Sequence, residues 1–126
     1  MPRSVLIVDD SELVRRGVRQ FFEHLPDWRI VGEAASGTKA IEIASEHKPD
    51  LVLLDLSMPG LNGIETACLL RKILPHAYIT VFSVFDTSVG SHVSSAAGVD
   101  LVLSKADGWS SLSKTLANFD RLRRAL

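Results

Sequence analysis

The stretch LVLLDLSMPGLNG at 51 to 63 constrains the fold more than any other part of the chain. Four consecutive apolar residues run into a single acid, Asp55, and then into a loop punctuated by Pro59, Gly60 and Gly63. A short apolar run without alternation, bounded by turn residues, reads as a strand covered on both faces, the place of a central strand in a parallel sheet. Ligands of such sheets collect at the carboxyl ends of the strands, and Asp55 stands at that end. What else reaches that edge decides what the acid is for.

Residues 4 to 8, SVLIV, form a first buried strand that ends in Asp9 and Asp10. Leu13, Val14, Val18, Phe21, Phe22 and Leu25 then recur at helical spacing, with Asp10 or Ser11 as N-cap and Pro26 and Asp27 as the stop. The stretch 28 to 35 alternates imperfectly and suits a shorter second strand. Ser36 and Gly37 open a helix that turns Ala40, Ile41, Ile43 and Ala44 to the core and stops at Pro49. After the strand at 51 to 54, the pattern predicts a helix over 64 to 74, terminated by Pro75, and a fourth strand over 77 to 82 that leads into Ser83. A fifth strand, 101 to 103, ends at Ser104 and Lys105, and a closing helix from about Ser110 carries Leu112, Leu116, Phe119, Leu122 and Leu126. Between them, Phe85, Val89, Val93 and Ala97 keep a four-residue spacing, but Gly90 and four serines are poor helix formers, so a weak or mobile helix is expected at 86 to 97.

Five strands alternating with five helices imply a single α/β domain over 1 to 126. The expected architecture is a doubly wound, flavodoxin-like parallel sheet in the order 2-1-3-4-5. With 126 residues, 46% of them hydrophobic, the chain fits one core and has no room for a second domain of ordinary size. Its 14 Lys and Arg balance 15 Asp and Glu, so charge offers no reason to expect direct nucleic-acid or membrane binding. The N-terminal apolar run is too short for a signal peptide or a membrane span, and a cytosolic protein is expected. A single cysteine, Cys68, excludes an internal disulfide and a thiolate metal cluster. Beside Leu69 and Leu70, it reads as a reduced core thiol.

Four apolar runs thus end in polar groups of complementary kinds: Asp9 and Asp10, Asp55, Ser83, and Lys105. In the order 2-1-3-4-5 the first and third strands are neighbours, so three carboxylates crowd the topological switch point, where their repulsion calls for a cation. Oxygen-only ligands with room for water suit Mg²⁺ better than Zn²⁺. Asp55 can then act as a nucleophile towards phosphorus while the metal and the Lys105 ammonium neutralise charge on the phosphoryl oxygens and Ser83 donates a hydrogen bond. Taken singly, Asp9 and Asp10 would be helix caps, Asp55 a loop-opening acid, and Ser83 and Lys105 ordinary polar residues. Recurrence of the pattern across strands far apart in sequence is what capping does not predict.

The VDD at 8 to 10, the DLSMPGLNG at 55 to 63, Ser83, the AG at 97 to 98 and Lys105 together resemble the receiver domain of bacterial response regulators over nearly the whole chain. MPGLNGIE and VGEAASG look most like receivers of the NarL/FixJ type, which commonly precede a DNA-binding helix-turn-helix module. The resemblance implies that Asp55 takes a phosphoryl group from a histidine kinase, a phosphotransfer protein or a small donor such as acetyl phosphate. Asp10, Asp55 and the backbone carbonyl of Ser57 would bind Mg²⁺ directly, with Asp9 acting largely through water. Ser83 and Lys105 would hold the phosphoryl oxygens, and phosphorylation would rearrange residues 84 to 97 and permit a homodimer. Arg15, Arg16 and Arg19 lie near the region through which receivers meet their kinase, although Glu12 and Arg16 also make an ordinary i,i+4 pair.

Three features depart from the family pattern. Val102 stands where many receivers carry a switch Tyr or Phe, leaving Phe82 and Phe85 as substitutes. Ala106 replaces the frequent proline after the lysine. No effector module precedes Leu126, which fits an excised receiver and a stand-alone one equally. Other classes also predict distinct features. A haloacid-dehalogenase phosphatase places its nucleophile in a DxD motif after the first strand, where this chain reads DDSE. A flavin or nucleotide module needs a Gly-, Ser- or Thr-rich phosphate loop there. A degenerate receiver, signalling by binding alone, is disfavoured by the full set of acidic, hydroxyl and lysine positions.

Overall fold

Apolar runs buried on both faces build the sheet. The computed structural model describes residues 2 to 55, 63 to 83, 98 to 105 and 109 to 124; the Ser57 carbonyl, Phe85 and the expected helix at 86 to 97 lie outside them. Strands β1 (Arg3–Val8), β2 (Trp28–Ala34), β3 (Leu51–Leu54), β4 (Tyr78–Ser83) and β5 (Leu101–Ser104) form one sheet. Its order is β2-β1-β3-β4-β5, with every neighbouring pair parallel. Val5 to Val8 and Leu51 to Leu54 are 3% exposed or less, the burial that a central strand needs. Helices α1 (Glu12–Glu23), α2 (Gly37–His47), α3 (Gly63–Ile73), α4 (Trp109–Ala117) and α5 (Phe119–Arg124) complete the described elements. None of them is long and apolar enough to cross a membrane.

Because strand side chains alternate, the sheet sorts its core into two layers. Leu6, Val8, Val52, Leu54, Ile79 and Val81 face α2 and α3, where Ala40, Ala44, Ala67 and Leu70 meet them and Cys68 packs at the margin. Val5, Ile7, Leu51, Leu53, Tyr78 and Phe82 face the other way, towards Val18 and Phe22 of α1 and Leu112 and Leu116 of α4. Ser11 caps α1, its Oγ accepting from Val14 N at 3.2 Å, and Ser36 caps α2 in the same way.

The expected continuous closing helix is broken at Asn118. Its side-chain amide donates to the Lys114 carbonyl at 2.9 Å, and its backbone N–H is shared between Lys114 and Thr115 at 3.2 Å each. Such local bonding draws helical carbonyls out of the regular ladder. The break lets Phe119, 1% exposed, lodge edge-on against Trp28 and Tyr78.

One side chain ties the α3 end of the molecule to β4 and β5. The Arg71 guanidinium donates to the carbonyls of Gly98 at 2.9 Å and Ala77 at 2.8 Å, and to the Asp100 carboxylate at 2.6 Å. The same Asp100 oxygen accepts from Ile79 N at 2.8 Å. Gly98 has φ +73°, and a Cβ there would come within 3.0 Å of Arg71 Cγ. A Gly98→Ala substitution is therefore expected to lower unfolding free energy by about 1–2 kcal/mol in urea melts, through left-handed strain and displacement of Arg71.

Burial, with the Asp100 carboxylate adding to it, raises the Tyr78 phenol above its ordinary value of 10.0. The raised acid stabilises the fold fully below the unfolded-state value, and that contribution is lost as pH climbs through the higher folded-state one. Native protein should therefore lose stability above about pH 10 more steeply than Tyr78→Phe. Urea melts at pH 8 and 11 measure the difference.

Candidate functional site

The site is a consequence of register. Val8 pairs with Leu54, and Leu54 with Val81. The next residues along β1 and β3, Asp9 and Asp55, therefore emerge side by side, pinned by Asp9 N to the Ala34 carbonyl at 3.0 Å and Asp55 N to the Val8 carbonyl at 2.9 Å. Ser83 pairs with Ser104, which puts Lys105 one residue further out at the same edge. The sequence-predicted Asp9, Asp10, Asp55, Ser83 and Lys105 all lie at this carboxyl edge of the sheet.

Asp9 and Asp55 are buried, 4% and 5% exposed, whereas Asp10 faces solvent. One carboxylate oxygen from each of the three lies within 4.8 Å of the others. Lys105 Nζ sits 2.8 Å from Asp9 Oδ2 and 4.0 Å from Asp55 Oδ2. The other Asp9 oxygen accepts from Ser11 N at 2.9 Å. Asp9 thus does both things considered for it: it steadies the entry to α1 and joins the acid cluster.

Arg15 holds the turn from beneath, donating to the Asp9 carbonyl at 2.6 Å. It also pairs with Glu12 and, at 3.5 Å, with Glu33 of β2, while Arg19 reaches Glu33 at 2.8 Å and Glu12 at 3.6 Å. The expected Glu12 to Arg16 pairing gives way to this network because Glu33, on a neighbouring strand, draws Arg15 and Arg19 together with Glu12. Arg16 is exposed.

Sequence reasoning missed the apolar wall beside the acids. Trp109, at the start of α4, stacks on Phe21 with ring centroids 5.4 Å apart and lies 6.0 Å from Phe82. Gly17 makes room for it, since a Cβ there would stand 3.1 Å from Trp109 Cζ2. Leu13, which shares helical spacing with the apolar residues of α1, is 75% exposed at the rim of this wall. A glycine amid the α1 heptad of apolar residues was the available signal, because Gly weakens a helix interior unless something packs closely there. Val102 packs against the α2 and α3 layer, and Phe82 is buried on the acid side of the sheet.

Carboxylate oxygens alone, two buried and one open to water, form a donor set that fits a hard divalent cation such as Mg²⁺. A buried carboxylate flanked by an ammonium and by further carboxylates has the groups that phosphoryl transfer to an acid requires.

The chain matches the response regulator receiver domain over residues 5 to 117, and it belongs to that family. Its relatives make it a receiver of the NarL type. It is 47% identical over 83 residues to the nitrate/nitrite response regulator protein NarL of Escherichia coli, covering 66% of this chain and 38% of that protein. It is 41% identical over 104 residues to NarP of the same species, covering 82% and 48%. A crystal structure of a two-component response regulator of the LuxR family from an Aurantimonas species matches with a TM-score of 0.86 at 28% identity, covering 94% of this chain and 85% of that one. The chain spans less than half the length of these two curated relatives.

Removing the Lys105 ammonium leaves Asp9 facing Asp55 without its cation. Lys105→Ala is expected to lower the unfolding free energy by about 1–3 kcal/mol at pH 7 in the presence of chelator, read from urea melts.

Proposed function

We propose that this domain is the phosphoacceptor of a two-component phosphorelay, with Asp55 as the residue phosphorylated. The observation that carries the reading is a buried Asp55 in register with Asp9 and 4.0 Å from the Lys105 ammonium. A carboxylate oxygen of Asp55 attacks phosphorus as the bond from phosphorus to the donor nitrogen breaks, and the electron pair leaves with the imidazole of a histidine kinase or phosphotransfer protein. With an acyl phosphate such as acetyl phosphate, the bond to the acyl oxygen breaks instead. Lys105 shifts its charge from the Asp9 carboxylate to the incoming phosphoryl oxygens, and Ser83, at the end of β4, donates a hydrogen bond to them.

Asp10 and Asp55, with the carbonyl of Ser57, are the residues we assign to holding Mg²⁺. Asp9 acts through water, which agrees with its two oxygens being engaged by Lys105 and Ser11. When bound, Mg²⁺ supplies charge neutralisation between the carboxylates and the phosphoryl group. The domain is a signalling module that assists its own phosphorylation and dephosphorylation, rather than a dedicated enzyme. A cytoplasmic setting, dimerisation on phosphorylation and control of transcription through a DNA-binding module following the receiver complete the proposal. They are supported by the kinship with NarL-type regulators.

Intact mass after incubation with acetyl phosphate and Mg²⁺ tests the reading. Native chain should gain one phosphoryl group and Asp55→Ala none. Sustained hydrolysis of phosphate esters would instead favour the phosphatase. Absence of an adduct from any donor, a cognate kinase included, would leave a receiver that signals by binding alone.

A further inference from the structure

Beside the acid cluster, α1, β4 and the start of α4 enclose a groove of about 260 Å³, lined by Leu13, Val14, Gly17, Phe82, Lys105 and Trp109. Of these six described residues, five present apolar surface or backbone, and the sixth is the lysine that reaches Asp9 and Asp55. Val14 and Phe82 also line the narrow cleft that contains Asp9 and Asp55. An occupant of the groove therefore lies directly beside the phosphoacceptor.

We infer that this groove is a leaving-group subsite, which gives Asp55 a preference for small acyl phosphates carrying an aromatic acyl group over acetyl phosphate. The inference rests on the phosphoacceptor reading and names the donor class that the groove selects. Leu13 at 75% and Trp109 at 42% exposure leave large apolar side chains in water, and an aromatic ring laid between them removes that surface from solvent. The groove is slightly smaller than the pockets that hold drug-sized ligands, a size that suits one ring with its acyl linkage. Its walls are held in place by the Phe21 stack on Trp109 and by the absence of a side chain at Gly17.

The charges fit the same ligand. The phosphoryl end carries the negative charge and meets Lys105, while the acyl end is apolar and meets Leu13 and Trp109. As Asp55 forms its bond to phosphorus, the bond between phosphorus and the acyl oxygen breaks, and the electron pair leaves with the carboxylate. A carboxylate leaves without taking a proton, so the groove needs no general acid. Among the described residues, Lys105 is the one titratable side chain lining it.

The test compares acetyl phosphate with benzoyl phosphate, each with Mg²⁺, by intact-mass measurement of the second-order rate of Asp55 phosphorylation. In native protein the benzoyl-to-acetyl rate ratio should exceed the ratio of their spontaneous hydrolysis rates by about tenfold. Leu13→Ser, which changes an exposed residue, and Trp109→Leu should each return it towards the hydrolysis ratio. Phenylphosphonate, an unreactive probe, should shift the amide resonances of Leu13 and Gly17 and the indole N–H resonance of Trp109. A native ratio equal to the hydrolysis ratio, with acetyl phosphate still reacting, overturns the subsite; so does a preference that both variants retain, or a probe that leaves those resonances in place. Failure of every donor to label Asp55 overturns the phosphoacceptor reading, and this inference with it.

Discussion

The pairing of β1 with β3 is the constraint on which the site depends. Parallel register places Asp9 and Asp55 at the same height on adjacent central strands, so that two buried carboxylates share one edge. Unopposed, they would repel in surroundings that screen poorly. Lys105 offsets that repulsion by reaching back from the end of β5, past β4 and β3, to Asp9 at the end of β1. The ion pair therefore links the far strand of the sheet to its centre through the functional site, and any group that redirects Lys105 alters the ends of three strands together.

The two layers of the core take different parts in this arrangement. Small residues dominate the contact of α2 and α3 with the sheet, where alanines allow close approach, and Arg71 locks the end of α3 to the start of β4 and the entry to β5. The opposite layer is aromatic. Phe22, Trp28, Tyr78, Phe82 and Phe119 are buried there, with Trp109 and Phe21 at its margin beside the acids. The Arg71 hydrogen bonds thus lie on one side of the sheet, and the exposed apolar surface of Leu13 and Trp109 near Asp55 lies on the other.

Much of the architecture was legible because short apolar runs bounded by Pro, Gly and polar residues have few alternatives to buried parallel strands. The five strands fall within a residue or so of their expected positions, and the described helices before β4 begin and end close to their capping and proline signals. The departures have a common origin in competition between local pattern and distant partners. Leu13 has helical spacing with the core residues of α1, yet it is 75% exposed at the groove beside Trp109. Periodicity carried the last helix straight through Asn118, whose side chain takes a helical carbonyl. Glu33 lies on another strand, so its pull on Arg15 and Arg19 has no trace in the spacing of α1.

By itself, the sequence determined the class of the fold, the membership of the receiver family, and the residues that converge at one sheet edge. The fold and the converging residues follow from local pattern and from the limited ways parallel strands connect, and the family from the resemblance of the motifs at 8 to 10, 55 to 63, 83, 97 to 98 and 105. Only the tertiary structure decided that Lys105 rests on Asp9 while standing 4.0 Å from Asp55, that Asp9 is buried and Asp10 exposed, and that Trp109 lies over Gly17 to wall a groove beside them. Those outcomes depend on distances between residues up to 96 positions apart in the chain, which are set by strand register and by the packing of α1 against α4. The stretch 51 to 63 names the phosphoacceptor candidate, and its neighbours in space supply the charges and the apolar wall around it.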